Sequence, residues 1–215
     1  MITEAHLKKT FSSFKIRNYR FLWVSDCLQA WAEYMELLVL SWLILEISSS
    51  PLLVGLYGAL RFMGTIMAPG FGVMVDRFDR KVLLILVRGS FVLNAGLILS
   101  ITFIGTLGTA AILVMGSLLG ISKTFDMVIR QSILPAVVGD KNLNNGVALA
   151  RAGGDVTQMI GPVIGGIVLA FLNVKASYGI IVGLYFLSFF CAMNIGRISP
   201  NQSLRDLKVL NNKKV

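Results

Sequence analysis

The ten residues Gly72–Lys81, GVMVDRFDRK, govern the fold of the whole chain. They separate two long apolar runs. A connection this short must turn the chain sharply and hold charge at a membrane surface. Gly72 allows close backbone approach near the end of the incoming segment. Asp76 and Asp79 alternate with Arg77, Arg80 and Lys81, so the loop can pair its own charges and also meet anionic headgroups. On charge content alone it is a basic cytoplasmic turn.

Working outward, the 215 residues are 55% hydrophobic and only 14% charged, with a mean hydropathy of +0.76. Soluble domains carry more charge than this. Apolar runs of membrane-crossing length recur, each able to traverse about 30 Å of hydrocarbon as helix. The expected fold class is an all-α membrane protein with six transmembrane helices. Cys27 and Cys191 fall inside apolar runs without metal spacing and read as small core residues. His6 is the only histidine. No nucleophile elbow or phosphate loop is present, so no enzyme, cofactor or metal site is expected. The first apolar run carries acidic residues and lacks a small-residue cleavage site, so it is expected to stay as a helix.

In chain order, residues 1–19 read as a basic amphipathic tail on the membrane surface. The spans are expected at about 20–46, 52–75, 82–104, 110–134, 146–172 and 177–195, inside a bundle of residues 20–196. Pro135 is expected to end the fourth span. Residues 197–215 form a polar tail. Counting Arg20 at the edge of the first span, fifteen of the 20 lysines and arginines fall in the two tails, the Gly72–Lys81 loop and the 130–141 connection. That bias puts both termini in the cytoplasm. It also accounts for the net charge of +9 without a nucleic-acid partner.

Ionisable residues inside spans carry the functional expectation, because each costs a few kcal/mol unless it meets a partner or a wet cavity. Asp26, Gln29, Glu33 and Glu36 share one face of the first span by their spacing of three and four. Tyr57, Arg61 and Thr65 do so on the second, Lys123, Asp126 and Arg130 on the fourth, and Arg151, Asp155 and Gln158 on the fifth. The third and sixth spans read as nearly bare, with Arg88 placed toward the cytoplasmic end. Spans 1, 2, 4 and 5 are therefore expected to wall a cavity. Depth along the helices predicts that Glu36 or Glu33 approaches Arg61. A carboxyl there can exchange a proton in competition with Arg61 or a substrate.

The GVMVDRFDRK loop resembles the loop between helices 2 and 3 of the major facilitator superfamily of secondary transporters, Gly-x-x-x-Asp-Arg-x-Gly-Arg-Lys, with Asp79 at the second glycine. That variant looks like the branch of enterobactin exporters and macrolide efflux proteins, as does RQSILP from Arg130 to Pro135. The motif Gly161-Pro162-Val163-Ile164-Gly165-Gly166 resembles the helix-5 motif of proton-coupled exporters, with Thr157 where the motif begins with glycine. On residues alone the same motif reads as close helix packing. The resemblance implies that Gly72, Asp76, Arg77, Arg80, Lys81 and Arg130 belong to a cytoplasmic gate. It implies transport powered by a proton gradient, in a bacterial plasma membrane.

Family members have twelve helices in two halves, and this chain resembles the N-terminal half. The expected function is export of a small molecule, with the lipid bilayer and either a separate C-terminal half or a second copy as partners. The alternative is a non-transporting remnant or an assembly or regulatory membrane subunit. Substrate identity is not legible in the sequence.

Overall fold

Lipid offers a backbone no hydrogen-bond partners, so apolar runs of this length must satisfy themselves as helices. The computed structural model describes residues 12–139 and 142–196, and among these there is no strand. After a short 3-10 turn, Ser12–Lys15, come α1 (Arg17–Ser48), α2 (Pro51–Leu60), α3 (Gly64–Arg77), α4 (Arg80–Ile104), α5 (Thr109–Val138), α6 (Leu143–Phe171) and α7 (Val174–Met193). The spans Pro51–Arg77, α4, α5, α6 and α7 are long and apolar enough to cross a membrane. α1 is as long, at 32 residues, but carries Asp26, Glu33 and Glu36 along its middle.

Local chemistry sets the boundaries. α1 ends where Ser49 turns left-handed, φ 50°, and Pro51 opens α2 at its first turn. Asp79 is the N-cap of α4, accepting from the amides of Lys81 at 2.8 Å and Val82 at 3.4 Å. The loop aspartate that departs from the family pattern thus acts as a helix cap. Asn173 does the same for α7 through the Ala176 amide at 2.8 Å. The fourth span does not stop at Pro135. It continues to Val138 and ends at Gly139, whose φ of 72° suits glycine.

The second span is not one helix. Between α2 and α3 the amides of Phe62 and Met63 bond three residues back, to Ala59 and Leu60, tightening the backbone into a 3-10-like turn. The cause is a backbone-to-backbone approach. A Cβ on Gly120 of α5 would lie 2.5 Å from the Arg61 carbonyl oxygen, and one on Gly116 would strike the Tyr57 ring. A second small-residue stripe, Gly153, Thr157, Gly161 and Gly165 on α6, receives α1. A Cβ on Gly161 would sit 2.9 Å from Tyr34 Cβ, and one on Gly165 3.2 Å from Met35 Cα. Such stripes replace the hydrophobic drive that helices lack in lipid. Gly161 and Gly165 of the helix-5 motif are therefore packing contacts, whereas a Cβ on Gly166 would meet open space.

α1 lies between α6 and α7, α4 packs on α5 and α7, and α2 and α3 lie on α5. The core holds Tyr57, Phe91, Tyr178 and Tyr185, with Phe91 stacked on Tyr185 at 5.4 Å. Large apolar side chains such as Ile66, Met159 and Phe171 stand three-quarters or more exposed, as surfaces that meet lipid do. The start of α1 is pinned to α6. Tyr19 donates to the Gly146 carbonyl and Trp23 to that of Leu149, both at 2.9 Å. Residues 12–15 of the basic tail fold against the same place, with Ser13 donating to Asn145 Oδ1 at 3.2 Å. The rest of that tail and residues 197–215 lie outside the described residues.

Candidate functional site

A cavity of about 450 Å³ opens between α1, α5 and α6. Asp26, Gln29 and Glu33 line it from α1, Lys123 and Arg130 from α5, and Arg151, Asp155 and Gln158 from α6. Leu22, Met127, Leu134 and Val147 supply apolar wall between them. Three of the four expected stripes therefore converge. The second span does not contribute lining residues, a correction to the expected four-helix chamber.

The helical period explains the convergence on α1. Residues 26, 29 and 33 follow one another at three and four positions and present one edge to α5 and α6. Across the cavity Lys123 Nζ lies 3.1 Å from Glu33 Oε2 and 5.4 Å from the Tyr34 ring centre. Lys123 is 43% exposed while Glu33 is 9% exposed, so the lysine reaches inward from the wet side. On α6, Arg151, Asp155 and Gln158 stay exposed. They form no ion pair among the described residues.

Beneath the cavity sits the largest departure from expectation. Arg88 of α4 is fully buried. Its Nε donates to Asp126 Oδ1 at 2.8 Å, its Nη2 to Asp26 Oδ1 at 2.6 Å, and its Nη1 to Ser188 Oγ at 2.6 Å and the Ser25 carbonyl at 2.9 Å. Arg130, half-exposed, adds Nε at 3.1 Å from Asp126 Oδ2 and Nη1 at 3.7 Å from Asp26 Oδ2. Two carboxylates and two guanidinium groups thus balance each other. Asp26, Arg88 and Arg130 all lie eight or nine residues from one end of their helices, about 12–14 Å deep. Arg130 therefore belongs to an internal ion cluster.

The reading of the third and sixth spans as bare fails at the same point. Arg88 comes from the third. The sixth supplies hydroxyls: Ser188 to Arg88, and Tyr185 and Tyr178 to Glu36 Oε2 and Oε1 at 2.7 and 3.4 Å. Charge counting passes over these residues, because serine and tyrosine look apolar in hydropathy. Their spacing, seven residues from Tyr178 to Tyr185 and three more to Ser188, was the available signal.

Glu36 and Arg61 lie close enough to act on each other by charge, but they form no ion pair. Arg61 instead donates to its own helix neighbour, Tyr57 Oη, at 2.9 Å. Both are sealed from solvent, Glu36 at 0% and Arg61 at 6% exposure, and neither lines the cavity. Each takes a tyrosine partner instead, Tyr57 for Arg61 and Tyr185 for Glu36. The loop residues Asp76 and Arg77 are exposed and unpaired among the described residues. Arg80 ties α4 to α5 by donating to the Ser132 carbonyl at 3.0 Å.

A membrane-length helical bundle with a charged internal cavity is the architecture of a transporter. Residues 8–212 match the family described as transmembrane secretion effector. The chain belongs to that family, within the major facilitator superfamily. It is 28% identical over 154 residues to the enterobactin exporter EntS of Shigella boydii serotype 18. It is 27% and 26% identical over the same length to the enterobactin exporters of Escherichia coli O1:K1 and Citrobacter koseri. Each match takes in 71% of this chain but 36% of the exporter, so the chain spans about half the length of these relatives. No solved structure matches it. As a member of that family the chain is a multi-pass membrane protein.

Proposed function

We propose that this chain is the six-span N-terminal half of a proton-coupled exporter of a small molecule, with both termini in the cytoplasm of a bacterial plasma membrane. One observation carries the proposal: acidic and basic side chains from three separate helices converge on a single cavity inside an apolar bundle. Charges placed for helix adhesion alone need no open volume beside them. In this scheme α1 crosses the membrane despite its carboxylates, because Asp26, Glu33 and Glu36 each face a partner or the cavity.

Substrate binds against Arg151, Asp155 and Gln158, whose polar groups have no ion-pair partner, with Lys123 and Glu33 opposite. A second six-helix unit covers this side, supplied by a separate chain or by a second copy. Glu36 is the proton carrier. It is the carboxyl that can exchange a proton without breaking an ion pair, since hydroxyls alone contact it. The Gly72–Lys81 loop, with Asp76 and Arg77 exposed, meets that second unit at the cytoplasmic face.

Sealed vesicles holding the purified chain, with an imposed proton gradient and ethidium as probe, test this. Gradient-driven ethidium movement is expected, and Glu36→Gln is expected to abolish it while the protein still inserts. Movement that persists in both Glu36→Gln and Glu33→Gln removes the proton-carrier assignment. The half-length match keeps a second reading in view, a non-transporting assembly or regulatory subunit. That reading is supported instead if Asp155→Asn and Arg151→Gln leave every measurable property unchanged.

A further inference from the structure

We propose that the seam between the start of α1 and the end of α7 is a binding site for one anionic phospholipid, independent of the transport cavity. A second cavity, of about 340 Å³, lies there, lined by Arg17, Arg20, Phe21, Val24 and Cys191. Arg17 and Arg20 are exposed and form no ion pair among the described residues. Arg17 lies over the Phe21 ring at 5.7 Å, which holds the guanidinium at the mouth of the groove. Below the two arginines the lining turns apolar: Phe21 and Cys191 are half-buried, and Val24 is 41% exposed.

The depth of each residue matches a lipid. α1 has 32 residues, about 48 Å of helix, against about 30 Å of hydrocarbon, so its first six residues stand in the headgroup layer. Arg17 and Arg20 fall within those six. α7 has 20 residues, about 30 Å, so Cys191 lies just inside the hydrocarbon. The Gly196 amide donates to Asn18 Oδ1 at 3.1 Å and fixes the register of the two helices. The groove thus offers two cations at phosphate level and an apolar trough continuing inward at acyl-chain level. A free phosphate uses only the upper part, and a zwitterionic lipid leaves the double positive charge uncompensated. The seam also carries the Ser25–Ser188 contact, with Ser25 Oγ donating to the Ser188 carbonyl at 2.7 Å. A lipid clamped across it ties the same two helices together from outside.

Native mass spectrometry of the full chain in detergent, with phosphatidylglycerol and phosphatidylcholine of identical acyl chains, tests the site. Phosphatidylglycerol is expected to be retained about thirtyfold more tightly, from two arginines at about a kcal/mol each. Arg17→Gln with Arg20→Gln is expected to erase that preference. Val24→Trp, which fills the trough and leaves the charges, is expected to weaken retention about tenfold. Inorganic phosphate at millimolar concentration is expected not to compete. Equal retention of the two lipids overturns the proposal, as does a preference unchanged in the double arginine variant. Full competition by phosphate or undiminished retention of phosphatidylglycerol in Val24→Trp also overturns it, leaving a plain anion patch.

Discussion

Asp26 and Glu36 lie on the same helix, ten residues and about 15 Å apart, and the protein treats them in opposite ways. Asp26 sits in a cluster where every charge touches an opposite charge: Arg88 at 2.6 Å, and through it Asp126 at 2.8 Å. Glu36 touches only the hydroxyls of Tyr185 and Tyr178. The first arrangement resists change, because moving any member leaves an uncompensated charge in a low-dielectric interior. In the second no ion pair has to break for the proposed proton exchange. The contrast teaches that buried charge here serves two ends. One group locks four helices, α1, α4, α5 and α7, at a common depth. The other holds a single carboxyl by tyrosine hydroxyls.

The sharpest way to break this contrast is to remove the hub. Arg88→Met is expected to destabilise the protein by about 3–5 kcal/mol, since Asp26 and Asp126 lose their shared cation. Loss of the monodisperse folded species in detergent, with a fall in melting temperature, measures it. Adding Asp126→Asn to that variant is expected to restore part of the loss. If Arg88→Met folds as well as the parent, the locked cluster is not a structural hub.

On the other side of the comparison, Tyr185→Phe removes the 2.7 Å hydroxyl from Glu36. A cost of about 1.5–3 kcal/mol is expected if Glu36 is ionised, and about 1 kcal/mol if it is protonated. Measuring the melting temperature at several pH values separates the two states. A pH-independent cost argues against an adjustable carboxyl.

The smallest expected effect has the opposite sign. Gln29 lies on α1 between the two groups, 2% exposed, and neither atom of its amide finds a partner. Buried polar atoms of that kind cost free energy. Gln29→Leu is therefore expected to stabilise the chain by about 1 kcal/mol in thermal unfolding. A destabilised variant would mean that the amide is satisfied, and the interior between the two groups would then be wetter than the contacts indicate.

Legibility varied along the chain for physical reasons. The charged faces at Asp26 and Glu33, Lys123 and Arg130, and Arg151 and Asp155 were readable because helical period is written directly in residue spacing. Their meeting at one cavity follows from that pattern once the helices are placed. The break at Arg61–Met63 was not readable, because it arises where α2 meets Gly120 of α5, almost sixty residues away. Arg88 was visible as a charge toward the cytoplasmic end of the third span, but its partners were not. Only its distances to Asp26, Asp126 and Ser188 make it central.

The sequence by itself determined that this chain is helical and membrane-bound, that it carries the exporter motif around Gly72–Lys81, and which faces are polar. Those properties depend on local composition and period, which a linear string preserves. Which acid meets which base was decided by the tertiary structure alone. Glu36 passed from Arg61 to Tyr185, and Arg130 joined Asp26 and Asp126 in the ion cluster. The reason is that a charge in lipid takes whichever partner packing brings within reach, and packing is set by small residues on distant helices.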